Sequence, residues 1–173
     1  MTGVALNLDT VDSMLTELQD RYSEVPVERE PIDVPAGEFE DHLQNARDGY
    51  DGGAYAWVIR DPEDASQLPS TTPGERDSRR RVLMLYSRNA DEWGLPGGGR
   101  EGDETFEEAA IREVNEETGI HCEITDLWLL RHHVWQSDDE SDARKTHSLH
   151  VFFDAHHTGG SVSIQPTESN GAA

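Results

Sequence analysis

Glu113 is followed by Glu116 and Glu117, three and four residues on, in a stretch whose apolar positions include Phe106, Ala109 and Ala110. Laid on a helix at about 100° per residue, Glu113 and Glu117 fall within about 20° of Phe106, and Glu116 falls about 80° to one side. The carboxylates therefore continue the small apolar stripe one turn further, where a solvated acidic face would lie opposite it. Arg112 and Asn115 are expected to point elsewhere, Ile111 and Val114 to give a second apolar contact, and Glu107 and Glu108 to be solvated. Like charges at these spacings repel by a few tenths of a kcal/mol per pair. A hard divalent cation, which takes several anionic oxygens, resolves that conflict. Gly97, Gly98 and Gly99 precede the helix and let backbone groups approach a ligand with no side chain in the way. No Gly-Lys-Ser/Thr follows them, so this is no Walker loop. A glycine turn feeding a carboxylate helix suits phosphates bound through a metal.

The surrounding pattern predicts what positions this helix. Asp103 is the expected cap, Thr118 the approximate end and Gly119 the left-handed stop. Upstream, residues 10–24 read as an amphipathic helix on Val11, Met14, Leu15, Leu18 and Tyr22. Residues 25–37 carry Pro26, Pro31 and Pro35 and read as an extended connector. A short helix is expected over 38–47, ending near Gly49, and a turn over 50–53. Strands are expected over 54–59 and 81–86, the second apolar enough to be central, joined as a hairpin by an exposed loop over 61–78. Strand-like segments follow over 122–135 and 148–154. Gly159 and Gly160 are expected to turn the chain, with a last short strand near Val162 and Ile164. Helices and strands in this order give an α/β class with a mixed sheet, divided as a helical N-terminal extension, residues 1–50, and a main domain, residues 51–173.

The bulk composition narrows the partners. Across 173 residues the net charge is −22, which disfavours duplex nucleic acid and anionic membranes. Lys145 is the only lysine. Acidic excess with so little lysine is expected of a protein from a salt-saturated cytoplasm, such as that of a halophilic archaeon. Cys122 stands alone, so no internal disulfide forms, and beside an apolar strand it reads as a packed thiol. No secretory leader or membrane span is evident, which makes the cytoplasm the expected location.

The segment from Gly98 to Ile120 resembles the box of the Nudix hydrolase (MutT-like) family, G-x5-E-x7-R-E-U-x-E-E-x-G-U with U aliphatic. Gly98, Glu104, Arg112, Glu113, Val114, Glu116, Glu117, Gly119 and Ile120 fill every fixed position. Trp93-Gly-Leu-Pro-Gly-Gly resembles the family's usual lead-in. The resemblance implies a mixed sheet sandwiched between helices and hydrolysis of the diphosphate linkage in a nucleoside diphosphate joined to another group. It implies Mg²⁺ or Mn²⁺ held by Glu113, Glu116 and Glu117, with the Gly97 carbonyl as a further ligand. Arg112 would orient a box glutamate, Glu104 would brace the loop–helix turn, and the general base would be Glu113 or a later acid such as Glu168. Gly98 and Gly99 would line the substrate path.

Substrate choice lies outside the box. No proline occurs between Ile120 and Pro166, and no tyrosine follows Tyr86, so the ADP-ribose and dinucleoside-polyphosphate signatures are missing. Trp135, near a loop mouth, is the expected nucleobase contact. His132 and His133 are strand neighbours and face opposite ways, as do His147 and His150 at an odd spacing. His156 and His157 are expected beside a turn, and no set has the spacing of a zinc site. The chain stops before the family's usual last strand and helix, so it is expected either to be a fragment or to have its fold completed by a partner; a homodimer is a candidate assembly. The alternative function is a catalytically silent nucleotide-binding sensor. Such modules typically lose box glutamates, and all are kept here.

Overall fold

A computed structural model describes residues 5–62, 80–87, 92–163 and 169–172. Its centre is a long antiparallel hairpin of β8 (Ile120–Ser137) and β9 (Lys145–Gly160). The two segments expected over 122–135 and 148–154 are each part of one longer strand. Register shifts at His121/Cys122, Ile124/Asp126 and Leu127/Leu129 interrupt their alternation. Each bulge moves the following side chains to the other face. Leu127 and Leu130 therefore both reach one core despite their odd spacing.

β3 (Gly52–Arg60) runs parallel to β9, and β2 (Val27–Val34) runs parallel to β8. β4 (Arg81–Val82) pairs antiparallel with the end of β3, giving the sheet order β2-β8-β9-β3-β4. β1 (Ala5–Leu6) joins β9, and β7 (Gly97–Gly99) joins β3. A smaller sheet holds β5 (Leu85–Ser87) between β6 (Trp93–Gly94) and β10 (Ser169–Ala172). The strand expected over 81–86 is thus two pieces in two sheets, and β4 lies at an edge, not at the centre. The hairpin with β3 forms as expected. Its connecting loop, from residue 63, lies outside the described residues, as does Ile164. Gly159 and Gly160 end β9, while Val162 belongs to no strand.

Helices cover both faces. α1 (Leu8–Arg21) and α3 (Phe106–Thr118) pack on one side, where Val11, Leu18, Phe106, Ala109, Ala110 and Val114 meet Ala54, Ala56, Leu130, Val151 and Phe153. α2 (Ala36–Arg47) covers part of the other side, where Phe39 and Leu43 join Val34, Ile32 and Trp135. Alternation along the strands separates the two cores: Val27 and Leu130 face the first, Ile32 and Trp135 the second. The molecule is an α/β sandwich with a mixed central sheet. The expected connector over 25–37 contains β2, which begins after Pro26 and passes through Pro31. An edge strand tolerates a proline whose missing N–H would face outward. Cys122 is buried, and burial pushes its thiol up to about 11, as a packed thiol requires.

His132 and His147 lie diagonally across β8 and β9 within the α1 side, with Nε2 and Nδ1 2.9 Å apart. His133 and His150 pair on the other face, ring centroids 4.5 Å apart, as the odd spacing requires. Burial, then the neighbouring His147, pushes His132 down to about 4. The unfolded chain holds that proton up to about pH 6.5. Between these values the unfolded state binds more protons, so stability falls as pH is lowered across the window. Denaturant midpoints measured from pH 7 to pH 4 should drop less steeply in His132→Leu than in the parent. Equal slopes would contradict this account.

Candidate functional site

α3 begins with a capping box. The Thr105 side chain accepts from Glu108 N at 3.2 Å, and Glu108 accepts from Thr105 N at 2.8 Å. Thr105, not Asp103, is therefore the cap: the reciprocal pair satisfies two free amides where a lone aspartate would serve one. Glu108 is on the outside as expected. Glu107 is not simply solvated, for it accepts from the Tyr22 hydroxyl at 2.9 Å and pairs with Arg21. Phe106, Ala109, Ala110, Val114 and Thr118 bury one face, and Ile111 is exposed, so only Val114 makes the second apolar contact. Gly119 closes the helix at φ 71°, as expected.

The buried arc of α3 sets its carboxylates against β7. A Cβ at Gly98 would lie 2.6 Å from Glu113 Oε1, so a side chain there would push the carboxylate out of this position. The amide of Gly97 donates to Glu117 Oε2 at 2.9 Å. Glu113 and Glu117 are half-buried and Glu116 is exposed.

Arg112 does not point elsewhere. Its Nη1 donates to Glu113 Oε1 at 2.8 Å and Glu116 Oε2 at 3.0 Å. Its Nη2 donates to the Gly99 carbonyl at 2.9 Å, and Nε and Nη2 together grip both oxygens of Glu104. Glu104 in turn accepts from the Glu101 amide at 3.0 Å, tying the loop into a turn. The Arg112 contact above all, then that amide, holds the Glu104 carboxyl below its usual range. Glu104 first, then Glu113 and Glu116, raise the Arg112 pKa against the opposing effect of burial. The guanidinium thus occupies the charge-neutralising position among these carboxylates.

Side chains outside the expected set complete the site. Arg100 pairs through Nε and Nη2 with Asp51, donates to the Glu104 carbonyl at 2.9 Å and lies 4.6 Å over the Phe106 ring. It links the start of β3 to the start of α3. Tyr55 stands beside β7, its hydroxyl pushed up to about 12 by burial first, then by Tyr50, Glu117 and Glu113. Neither residue carries a signal at its own position, because each acts through partners distant in sequence. Trp135 lies away from the carboxylates, in β8 against α2, with His42 stacked on it at 4.0 Å between centroids. Glu168 lies outside the described residues.

A divalent cation would suit this donor set, since hard carboxylate oxygens on adjoining helical turns face a backbone with no side chain between them. Among the described residues, no three carboxylate, histidine or thiol side chains are yet close enough to enclose an ion. Arg112 draws Glu113 and Glu116 to itself while Glu117 turns to Gly97.

Comparison with known proteins bears on the same stretch. The NUDIX domain family matches residues 75–172. The chain is 38% identical over 71 residues to the putative 8-oxo-dGTP diphosphatase 3 of Mycobacterium tuberculosis, covering 41% of this chain and 29% of that protein. It is 32% identical over 91 residues to the putative 8-oxo-dGTP diphosphatase of Bacillus subtilis, covering 53% and 54%. The matches thus span about a third to a half of these relatives' own lengths. Among solved structures, a MutT protein from Methanosarcina mazei is 19% identical, with a TM-score of 0.45 over 87% of this chain and 77% of that one. With the family match extending over more than half its length and the whole box inside it, the chain belongs to the Nudix family.

Proposed function

We propose that the protein hydrolyses the diphosphate linkage of a nucleoside diphosphate joined to another group. The observation that carries this is the convergence of Glu104, Glu113, Glu116 and the Gly99 carbonyl on Arg112, directly against the side-chain-free strand β7. The word diphosphatase in the two relatives' names supports it. Glu113, Glu116 and Glu117 would hold Mg²⁺ or Mn²⁺, with the Gly97 carbonyl completing the set. When bound, the ion supplies Lewis acidity at phosphate oxygens and lowers the pKa of a coordinated water. Arg112 keeps Glu113 and Glu116 oriented, and Glu104 braces the turn that carries Gly98 and Gly99 past the phosphates. Glu113, half-buried against Gly98, accepts the proton of the attacking water as general base, with Glu168 the rival for that role. Trp135 contributes to substrate binding through the wall of a cleft beside α2. The reaction resides in residues 51–173, and residues 1–50 form an extension whose helices pack onto the same sheet.

Water attack on phosphorus breaks one P–O bond of the anhydride and leaves glycosidic and sugar–phosphate ester bonds intact. ADP-ribose incubated with the protein and Mg²⁺ in ¹⁸O-water should give two monophosphates, with label on only one of them. Mass spectrometry showing free adenine or free ribose would mean the box performs a different reaction.

The acidic surface supports a second proposal, adaptation to a salt-rich cytoplasm. No helix among the described residues is long and apolar enough to cross a membrane. A net charge of −22 self-repels when the Debye length is long, so the thermal midpoint should rise steeply from dilute buffer to molar KCl. Midpoints that stay flat across that range would end the proposal.

A further inference from the structure

On the opposite face of the sheet from α3 lies a cleft of about 200 Å³ between α2 and the strands β8 and β9. Its useful lining is His42 and Asn45 from α2, Tyr50 from the turn that follows, and Trp135, Ser148 and His150 from the sheet. Resting on the hydrolase reading above, we propose that this cleft seats the substrate's nucleobase, and that His42, Asn45 and Tyr50 read it.

Position is the first argument. Tyr50 is shared between the cleft and the glycine strand: its ring carbon Cε2 lies 3.2 Å from where a Cβ on Gly99 would sit. Gly99 is the neighbour of Gly98, where an added Cβ would meet the Glu113 carboxylate. A second connection runs through Tyr55, stacked on His150 with centroids 5.9 Å apart and rings 11° from parallel. A ligand with its phosphates at the carboxylates therefore has the cleft next to it.

Size and chemistry are the second. A whole drug-sized ligand takes roughly 300 Å³ or more, so this cleft admits one planar ring system and not a complete nucleotide. Burial pushes the pKa of His150 down to about 4, so that imidazole is neutral at pH 7. No arginine or lysine lines the cleft, so its wall offers no fixed cation for another phosphate. It offers rings, the hydroxyls of Tyr50, Thr146 and Ser148 and the amide of Asn45, which suit a neutral heteroaromatic base.

The stacking partner is His42 in place of Trp135. His42 already lies flat on the indole, 17° from parallel. The indole Nε1 donates to Ser148 Oγ at 2.9 Å, and that hydroxyl sits 3.2 Å from His150 Nε2. Trp135 is thus held from behind and acts as a positioning residue. His42 and Tyr50 present the remaining ring surface, and Asn45 is exposed at the rim with an amide able to donate and accept at a base edge. All three lie upstream of residues 75–172, so the N-terminal region would set base preference for the family's chemistry.

Isothermal titration with AMP, GMP, CMP, UMP and ribose 5-phosphate, in Mg²⁺ and high KCl, tests this. At least one nucleoside monophosphate should bind about tenfold or more tighter than ribose 5-phosphate, the scale of one base stacking on a ring. His42→Ala and Asn45→Ala should remove most of that preference and leave ribose 5-phosphate binding unchanged. Asn45 is exposed, so its variant reports without threat to folding. No base preference in the parent, or a preference untouched in both variants, would overturn the proposal. So would an equal loss of ribose 5-phosphate binding. Base preference that depends on Asn45 in a protein that cleaves no nucleotide would leave the cleft standing and remove the hydrolase reading.

Discussion

Replacing Glu116 with glutamine should nearly abolish turnover while the fold survives. Its side chain is 51% exposed and its visible partner is Arg112 Nη1 at 3.0 Å, an ion pair of small worth at such exposure. Stability should therefore stay within about 0.5 kcal/mol of the parent, the range of ordinary surface substitutions. Shape is preserved, but one anionic oxygen is lost from the proposed cation site. The loss in kcat/KM at fixed Mg²⁺ should exceed the roughly 10–100-fold typical of changes in the shell outside a metal's own ligands. Raising Mg²⁺ should recover part of it, because affinity for the ion is what falls. Glu108→Gln is the matched control. It sits on the same helix, and glutamine keeps the capping box with Thr105, so activity should be unchanged. If Glu116→Gln retains activity within about twofold of the parent at saturating Mg²⁺, well inside that range, Glu116 is no ligand.

What the sequence made legible follows from where the physics is local. Helical spacing alone placed Phe106, Ala109 and Ala110 inward and Glu113 and Glu117 on the same stripe, because 3.6-residue periodicity needs no partner. Gly119 ended the helix for an equally local reason. The direction of Arg112 was not legible. A wheel reports where Cβ points, and a long guanidinium stem can double back around the helix to the Gly99 carbonyl. β2 was hidden by three prolines and alternating charges, the marks of an exposed edge strand, whose pairing with β8 appears only once the sheet exists. The pairing of His132 with His147 depends on strand register, which the bulges in β8 reset. Asp51 and Arg100 are 49 residues apart, and no pattern along the chain joins them.

Removing Arg112 should produce the second large effect, on stability as well as rate. Arg112→Ala strips the common partner from Glu104, Glu113 and Glu116 and from the Gly99 carbonyl. The guanidinium is 18% exposed, Glu104 23% and Glu113 17%, so the cluster is neither free in water nor fully dry. Exposed pairs contribute about 0–1 kcal/mol, and breaking a buried one costs about 3–5 kcal/mol. A loss of roughly 2 kcal/mol lies between these limits. What makes the prediction specific is its dependence on a cation. Without Arg112, Glu113 and Glu116 lose the positive neighbour they share among the described residues, and a divalent ion becomes the remaining way to neutralise them. Mg²⁺ should then raise the unfolding midpoint of Arg112→Ala more than that of the parent, since a ligand stabilises only the state that binds it. Turnover should still fall about 10–100-fold at saturating Mg²⁺, because Glu113 and the Gly99 carbonyl are no longer held in register. Arg112→Lys should recover stability better than rate, as one ammonium can neutralise charge but cannot grip Glu104 and Gly99 together. Denaturation curves with and without Mg²⁺ decide the matter. An Arg112→Ala protein whose midpoint responds to Mg²⁺ no more than the parent's would show that these carboxylates do not share an ion.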